Sequence, residues 1–268
     1  MSSPAGLPEV RVVRYVTPLR EGGSLPGLVE GDDLGTYVCK FRGAGQGPRV
    51  LVAEVIVAGL ARLLEVPTPD QVVLDVDPRI ARYEADEEVQ DLIDASPGAN
   101  LGIDFLPGSF GYDPQPGADR AAHRSLAGRI LWLDAFTANV DRSWRNPNLL
   151  LWGGTLQAID HGASLYFHHS WPGRPGDPAR FAAQPYDTSE HVLREAAEAA
   201  REQDDELAAR LDDDALAGVL AAVPDTWLEP VPEADTPADL RERYRRFLAA
   251  RRDGVDGVRP WLPTGGEG

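Results

Sequence analysis

The sequence predicts an α+β fold of two lobes, an N-terminal β-sheet lobe with one main helix and a mostly helical C-terminal lobe. Short runs rich in β-branched and aromatic residues occupy the chain up to about residue 106, interrupted by one long helical pattern at 50–64. Glycine and proline are densest at 107–117, which is typical of a lobe boundary. Beyond it, apolar residues recur at helical spacing. We therefore expect lobes at 1–107 and 108–268 that together form one domain.

The composition is that of a globular chain with an acidic surface. It has 268 residues, a hydrophobic content of 43% and a net charge of −17. This charge argues against nucleic acid or an anionic membrane as the main partner. The single Cys39 excludes an intrachain disulfide framework and fits a reducing cytoplasm, where we expect the protein to reside. The most apolar segment, 50–64, contains Glu54 and Arg62, so no membrane span is expected.

Each element of the first lobe is predicted from two signals. Runs of β-branched and aromatic residues bounded by turn residues indicate strands, and apolar residues three to four positions apart indicate helices. In chain order, these signals predict strands at 10–16, 26–30 and 36–41, the helix at 50–64, a strand at 71–76, a charged helical region at 78–97 and a strand at 100–106.

The second lobe is predicted to be helical around one hairpin. A helix is expected at 119–137, and the residues at 163–187 show no regular period, which in a compact domain usually marks a functional loop. Asp187 followed by Glu190 forms a pattern similar to a capping box and predicts a helix to about residue 210. Further helices are predicted at 212–222 and 237–252.

One lysine stands among arginines. Lys40 lies in the strand at 36–41, and every other basic side chain is arginine. A compact ammonium meets a phosphate as a point charge, a role that a forked guanidinium does not reproduce. Chance survival of the lysine is the alternative. Because Lys40 shares a strand face with Val38, we expect it to be partly covered and to have a partner.

Glu54 is the candidate partner of Lys40. It is the only acidic residue inside the helix at 50–64, and its neighbours are apolar. A lysine on the third strand and a glutamate on the following helix form, in kinases, the ion pair that holds the lysine toward the phosphates of ATP. A solvated glutamate on the outer face of the helix is the alternative.

Two glycines predict a tight hairpin in the second lobe. Gly153 and Gly154 separate two short apolar runs, and both central positions of such a turn need a positive φ. The turn would pair Trp152 with Thr155, and by the same register it would bring Asp160 beside Asn146 at the open end of the hairpin.

The open end of this hairpin is predicted to gather oxygen ligands. Asp141 lies five residues before Asn146, on the loop that enters the first strand, and Asp160 follows the second strand. Oxygen ligands in this number suit Mg²⁺, and a carboxylate outside the metal shell could accept a proton from an attacking hydroxyl. Kinases divide the work in this way. The alternative is a surface hairpin with polar ends.

Taken together, these motifs resemble the HipA-like kinase family. The resemblance extends from about residue 14 to 248 and rests on EGGSLP at 21–26, YVCKF at 37–41, the helix with Glu54, NVDRSWRNPNLLLW at 139–152 and AIDHG at 158–162. It implies a protein-kinase-like fold and a phosphotransferase that uses ATP and Mg²⁺. A Ser or Thr hydroxyl on a protein fits the family best as acceptor. A small-molecule hydroxyl and a module that binds nucleotide without turnover are the alternatives.

The resemblance also implies a role for each site residue. Asp141 would be the catalytic base, and Asn146 and Asp160 would be the metal ligands. Lys40 would contact the ATP phosphates, with Glu54 orienting it. Gly22, Gly23 and Ser24 would cap the phosphates, and Asp104, Phe105 and Leu106 would form the hinge that binds adenine. Two departures stand out. Ser143 occupies a position where related kinases often carry histidine, and the triplet at 160–162 is Asp-His-Gly rather than Asp-Phe-Gly.

Overall fold

A computed structural model of the chain describes residues 6–19, 25–45, 47–82, 84–113 and 123–264. The residues group into two compact units. The first comprises Met1–Val52, Pro69–Pro107 and Ala222–Leu228, and the second comprises Ala53–Thr68, Gly108–Ala221 and Glu229–Gly268. The predicted fold class is confirmed, because the first unit contains a β-sheet and the second is mostly helical. Within the described residues, no helix is both long and apolar enough to cross a membrane.

The sheet of the first unit closes into a five-stranded barrel. Its strands are β1 (Glu9–Pro18), β2 (Gly27–Gly31), β3 (Thr36–Lys40), β4 (Gln71–Val76) and β5 (Gly98–Asp104). The strand order is β1-β2-β3-β5-β4, and a parallel pairing of β1 with β4, in which Val10 lies opposite Leu74, closes the ring. All other pairings in the barrel are antiparallel.

The barrel interior holds the core of the first unit. On β3 the side chains alternate as expected, with Tyr37 and Cys39 buried and continuing into the buried Phe41. Burial raises the pKa of the Cys39 thiol well above its ordinary value, so this thiol is an inert core group. The region predicted at 78–97 contains a 3₁₀ turn, Pro78–Ala81, and the helix α2, Glu87–Asp94.

The main helix of the N-terminal half, α1 (Pro48–Leu63), is buried along most of its length, which accounts for its continuous apolar sequence. The second unit adds the remaining helices. These are α3 (Arg124–Thr137), α4 (Pro178–Ala183), α5 (Ala197–Glu202), α6 (Asp204–Ala209), α7 (Asp213–Ala221) and α8 (Pro237–Asp253). Thr236 and Asp239 form the predicted capping box at the start of α8.

The predicted hairpin is confirmed. Strands β7 (Leu149–Trp152) and β8 (Thr155–Ala158) pair in the expected register, with Trp152 opposite Thr155. Gly153 and Gly154 have φ values of 57° and 80°, the left-handed conformation that a two-residue turn demands. A short strand, β6 (Phe110–Gly111), lies in the segment expected to be a linker and pairs with β7.

Two expectations for the second lobe are wrong in part. The helix expected from Asp187 begins only at α5: the Asp187 carboxylate accepts a hydrogen bond from the backbone N–H of Ser189, but the chain continues in a local turn. The chain then pairs with the loop that precedes β7, through an isolated antiparallel bridge between Ser143 and His191. Residues 163–187 were expected to form a loop without a regular period. They contain α4 and a 3₁₀ turn at Tyr166–Ser170.

Two helical glycines in the second unit provide a matched test of helix packing. A Cβ on Gly59 of α1 would lie 2.9 Å from Cγ1 of Val219 on α7, and Val219 is buried and rotationally stiff. A Cβ on Gly218, one residue away on α7, would meet nothing within 4 Å. We expect Gly59→Ala to lower the free energy of unfolding by about 1 kcal/mol, because overpacking outweighs the gain in helix propensity.

Gly218→Ala should instead raise the free energy of unfolding by about 0.5–1 kcal/mol, since only helix propensity changes at this exposed site. Urea denaturation of both variants beside the wild type measures the difference. Equal stabilisation by the two substitutions would contradict the close packing of α1 on α7.

Candidate active site

A fully buried carboxylate at the end of α3 organises the loop that follows. Oδ1 of Asp134 accepts a hydrogen bond from Asn139 at 2.9 Å, and Oδ2 accepts from Nε of Arg142 at 2.6 Å and from Nε2 of His191 at 3.1 Å. Burial alone would raise the pKa of Asp134, but the charge of Arg142 and the hydrogen bond from His191 outweigh it and hold the pKa well below its usual range. The carboxylate is therefore ionised and fully paired.

His191 belongs to the segment that pairs with this loop. The backbone N–H of Leu193 donates to Nδ1 of His191 at 3.0 Å, so Nδ1 is an acceptor and the ring hydrogen lies on Nε2, facing Asp134. The segment therefore adds a donor to the buried carboxylate.

Arg142 connects the loop to both strands of the hairpin. Its Nη1 donates to the carbonyl oxygens of Asn148 and Ile159, the second at 3.2 Å. The backbone N–H of Ile159 in turn donates to the carbonyl of Asn148 at 3.0 Å, which extends the ladder beyond β7 and β8. The buried guanidinium thus fixes the open end of the hairpin, where the sequence places the candidate ligands.

Asp141 and Asn146 are brought together as predicted. Oδ2 of Asp141 accepts a hydrogen bond from Nδ2 of Asn146 at 2.9 Å, and a second from Nδ2 of Asn148 at 3.2 Å. Its backbone N–H donates to Oδ1 of Asn139 at 3.0 Å. In the described part of the chain, no hydrogen bond is made to Oδ1 of Asp141. One oxygen of a half-buried carboxylate is therefore available to accept a proton.

Sequence reasoning missed Asn148. It precedes β7 and has a φ of 47°, a left-handed conformation that asparagine tolerates better than most residues. Its amide steadies Asp141, while its carbonyl accepts from Arg142 and Ile159. The available signal was an asparagine at the entrance of a strand, where its propensity is poor.

Glu54 has a role that the sequence did not indicate. Its side chain is completely buried, which excludes the alternative of a solvated outer face. Oε2 accepts from the backbone N–H of His161 at 3.0 Å, and Oε1 accepts from that of Gly162 at 2.8 Å. These two peptides follow Asp160, whose φ of 54° is left-handed. The buried carboxylate thus holds the turn that presents Asp160.

The donor set at the hairpin suits a hard cation. Nδ2 of Asn146 donates to Asp141, so the amide oxygen is the atom of Asn146 that could bind a metal ion. Across the described ranges, no group of three or more His, Cys, Asp and Glu side chains is placed to hold a metal ion. Asn146 and Asp160, the ligands expected from the sequence, would supply one amide oxygen and one carboxylate, and Mg²⁺ usually takes its other ligands from waters and substrate phosphates.

The remaining predicted residues lie in the first unit. Lys40 ends β3 with 9% of its surface exposed, which agrees with the expected cover. Asp104 ends β5 opposite Tyr37, and Leu106 is buried. The backbone N–H of Phe105 donates to the carbonyl of Thr36 at 3.0 Å. Gly22, Gly23 and Ser24, the predicted phosphate cap, lie outside the described residues.

Comparison with known proteins gives one family and one fold. The model of the HipA-like kinase family matches residues 12–252. Among solved structures, the Helicobacter pylori proinflammatory kinase CtkA superposes with a TM-score of 0.58 at 10% identity, covering 92% of this chain and 95% of CtkA. Two structures of the Golgi casein kinase give TM-scores of 0.42 and 0.44 at 12% identity. The first covers 92% of this chain and 72% of the casein kinase chain. The second, which contains Mn/ADP, covers 96% of this chain and 75% of the casein kinase chain. No curated protein matches.

The buried Asp134–Arg142 pair predicts a large effect of one isosteric change. Asp134→Asn leaves the guanidinium buried without its counter-charge, so we expect the free energy of unfolding to fall by about 3–5 kcal/mol at neutral pH. Because the folded-state pKa of Asp134 is depressed, its stabilisation is complete above the unfolded pKa of about 3.9 and is lost as the pH falls below that value.

Chemical denaturation at neutral pH and in steps below pH ~5 measures this dependence. The difference between wild type and Asp134→Asn should shrink as acid protonates the wild-type carboxylate. Glu202→Gln is the control, since Glu202 pairs with Arg124 on the surface and its loss should matter much less. Equal effects of the two substitutions would show that Asp134 does not organise the loop.

Proposed function

The chain belongs to the HipA-like kinase family, and on that premise we propose that it transfers the γ-phosphoryl group of ATP, with Mg²⁺, to a Ser or Thr hydroxyl of a protein. The observation that carries this proposal is the setting of Asp141. Two amides hold one oxygen of its carboxylate, and in the described residues the other oxygen accepts no hydrogen bond. A fixed carboxylate with one available oxygen is suited to general base catalysis.

The proposed reaction is a single displacement. The acceptor O–H donates its proton to Oδ1 of Asp141 while its oxygen forms a bond to the γ-phosphorus of ATP. The bond between the γ-phosphorus and the bridging oxygen breaks, and ADP leaves with that oxygen. Arg142 keeps the loop that carries Asp141 in place through its bonds to Asp134 and to the hairpin. Orientation of the acceptor hydroxyl is the main contribution of this loop.

Asp160 and the amide oxygen of Asn146 are the proposed ligands of Mg²⁺. When bound, the ion neutralises charge on the phosphates. Glu54 secures the turn that carries Asp160 by accepting from two consecutive backbone N–H groups. Its predicted second role, orienting Lys40, remains part of the proposal.

The first lobe, residues 1–107 in our proposed division, supplies the nucleotide contacts. Lys40 would contact the phosphates, and Gly22, Gly23 and Ser24 would cap them. The backbone N–H of Phe105 already donates to the carbonyl of Thr36. In the hinge at 104–106, the backbone N–H of Leu106 is therefore the better candidate for a hydrogen bond to adenine. The second lobe, 108–268, would supply the base and the metal ligands.

A small-molecule acceptor and a nucleotide-binding module without turnover are the competing functions. The presence of lysine, base and both ligand types favours an active enzyme over the module. The net charge of −17 favours a partner that is not nucleic acid or an anionic membrane, and the single cysteine favours a cytoplasmic setting.

Substitution of the two carboxylates should separate chemistry from metal binding. In Asp141→Asn the new amide oxygen can still accept from Asn146 and Asn148, so the loop should persist while the base is lost. We expect Mg-ATP to bind normally and transfer to fall by about 10²–10⁴-fold. Asp160→Asn should lose Mg²⁺-dependent nucleotide binding as well as transfer.

Nucleotide affinity by calorimetry, ADP release and labelling of a cell lysate with γ-labelled ATP give the readouts. Glu202→Gln, on the surface of α5, serves as the control with wild-type activity. The enzyme proposal fails if the wild type binds Mg-ATP yet neither hydrolyses it nor labels any acceptor, and Asp141→Asn changes nothing.

Activity should depend on the shape of the cationic group at position 40 as well as on its charge. Lys40→Ala is expected to lose ATP affinity or turnover, and Lys40→Arg to be impaired too, because a guanidinium is bulkier and forked. Arg14→Ala, which removes an exposed cation bonded to Glu30 on the same barrel, is the control. Wild-type kinetics in Lys40→Arg would show that this lysine is not a phosphate contact.

A further inference from the structure

His161 is the residue that replaces phenylalanine in the Asp-Phe-Gly triplet, and its ring is buried with 1% exposed. Nδ1 lies 3.3 Å from Nη2 of Arg142, and Nε2 lies 3.4 Å from the hydroxyl of Thr68. A guanidinium nitrogen can only donate. Nδ1 of His161 must therefore be the acceptor, and a neutral ring then carries its hydrogen on Nε2, facing Thr68.

The partner of this ring is itself fixed. The Nε of Arg142 donates to the buried Asp134, and its Nη1 donates to two hairpin carbonyls. The third nitrogen, Nη2, reaches His161. Arg142 directly follows Asp141, and His161 directly follows Asp160. The Arg142–His161 hydrogen bond thus joins the neighbour of the proposed base to the neighbour of the proposed metal ligand.

The backbone at His161 is fixed as well. Glu54 accepts from the N–H groups of His161 and Gly162, so the peptides that follow Asp160 cannot turn freely. The guanidinium of Arg142 therefore restrains the ring of His161, and the carboxylate of Glu54 restrains its backbone. A phenylalanine in this position could fill the space but could not accept from Arg142.

We propose that the neutral, Nε2-protonated imidazole of His161 is a positioning residue, which sets the placement of Asp160 relative to Asp141 by accepting from Arg142. This inference rests on the proposed phosphotransfer. Its expected signature is a loss in kcat with little change in nucleotide affinity. Each carboxylate remains present when the bond is lost, but the acceptor and the phosphoryl group are no longer aligned.

The tautomer can be measured without any assay of activity. Long-range ¹H–¹⁵N correlation spectra of the full chain report the protonated nitrogen of each neutral imidazole, and the chain has five histidines. The resonances of His161 are assigned by their disappearance in His161→Asn. We expect the Nε2–H form. An Nδ1–H form would overturn the proposal, because that nitrogen could not accept from Arg142.

Two substitutions separate hydrogen bonding from volume. His161→Asn keeps an acceptor near the position of Nδ1 and loses ring volume, whereas His161→Phe keeps the ring and loses the acceptor. We expect kcat to fall about 10–100-fold in His161→Phe, because a misplacement of about 1 Å can cost on the order of 10²-fold in rate. His161→Asn should stay within a few-fold of wild type, and the Kd for Mg-ADP should stay within a few-fold in both.

The same pair of substitutions at His123 is the matched control, since His123 lies at the opposite end of α3 from Asp134. Thermal unfolding confirms that each variant is folded at the assay temperature. A His161→Phe enzyme as fast as wild type, or a His161→Asn enzyme as impaired as His161→Phe, would overturn the proposal. If wild type and Asp141→Asn are both inactive, the proposed function fails and the tautomer measurement alone decides the assignment of His161.

Discussion

The pairing of Asp134 with Arg142 is the interaction on which the rest of the candidate site depends. Both side chains have no exposed surface, and a buried charge is tolerated only when its hydrogen-bonding groups are satisfied. That requirement recruits His191 from a distant segment and the hairpin carbonyls from the other side. The position of the loop is set because each displacement would leave a charge uncompensated. Such a pair specifies one conformation more than it adds stability.

Short-range sequence patterns predict the hairpin of the second unit. The hairpin and its register follow from the demand of Gly153 and Gly154 for positive φ. The short spacing of Asp141 and Asn146 on one loop predicts that they lie together, and the two side chains are hydrogen-bonded. Glu54 stands out in the sequence because a lone acid among apolar neighbours needs a partner. Its actual contacts with backbone N–H groups could not be foreseen, since every peptide offers the same donor and sequence does not distinguish them.

Features that depend on distant segments could not be predicted in the same way. The closure of the barrel by β1 and β4 leaves no local signal, because parallel pairing involves residues far apart in sequence. The Asp187 pattern fits a helix cap and a local turn equally well, and pairing with the loop at Ser143 decided between them. Arg142 gives no signal in the sequence because an arginine in a polar loop is usually solvated, whereas this one is buried and bonded to Asp134 and to the hairpin.

The scarcity of lysine has a consequence for the chemistry of the whole surface. Lys40 carries the only side-chain amine of the protein, and nine-tenths of that residue is covered at the end of β3. Crosslinkers, and reagents and enzymes that modify lysine, therefore find no well-exposed lysine side chain on the acidic exterior. On the proposed contact between Lys40 and the phosphates, a nucleotide analogue bearing an electrophile on its phosphates would acylate this one amine, and a single modified peptide would mark the occupied state.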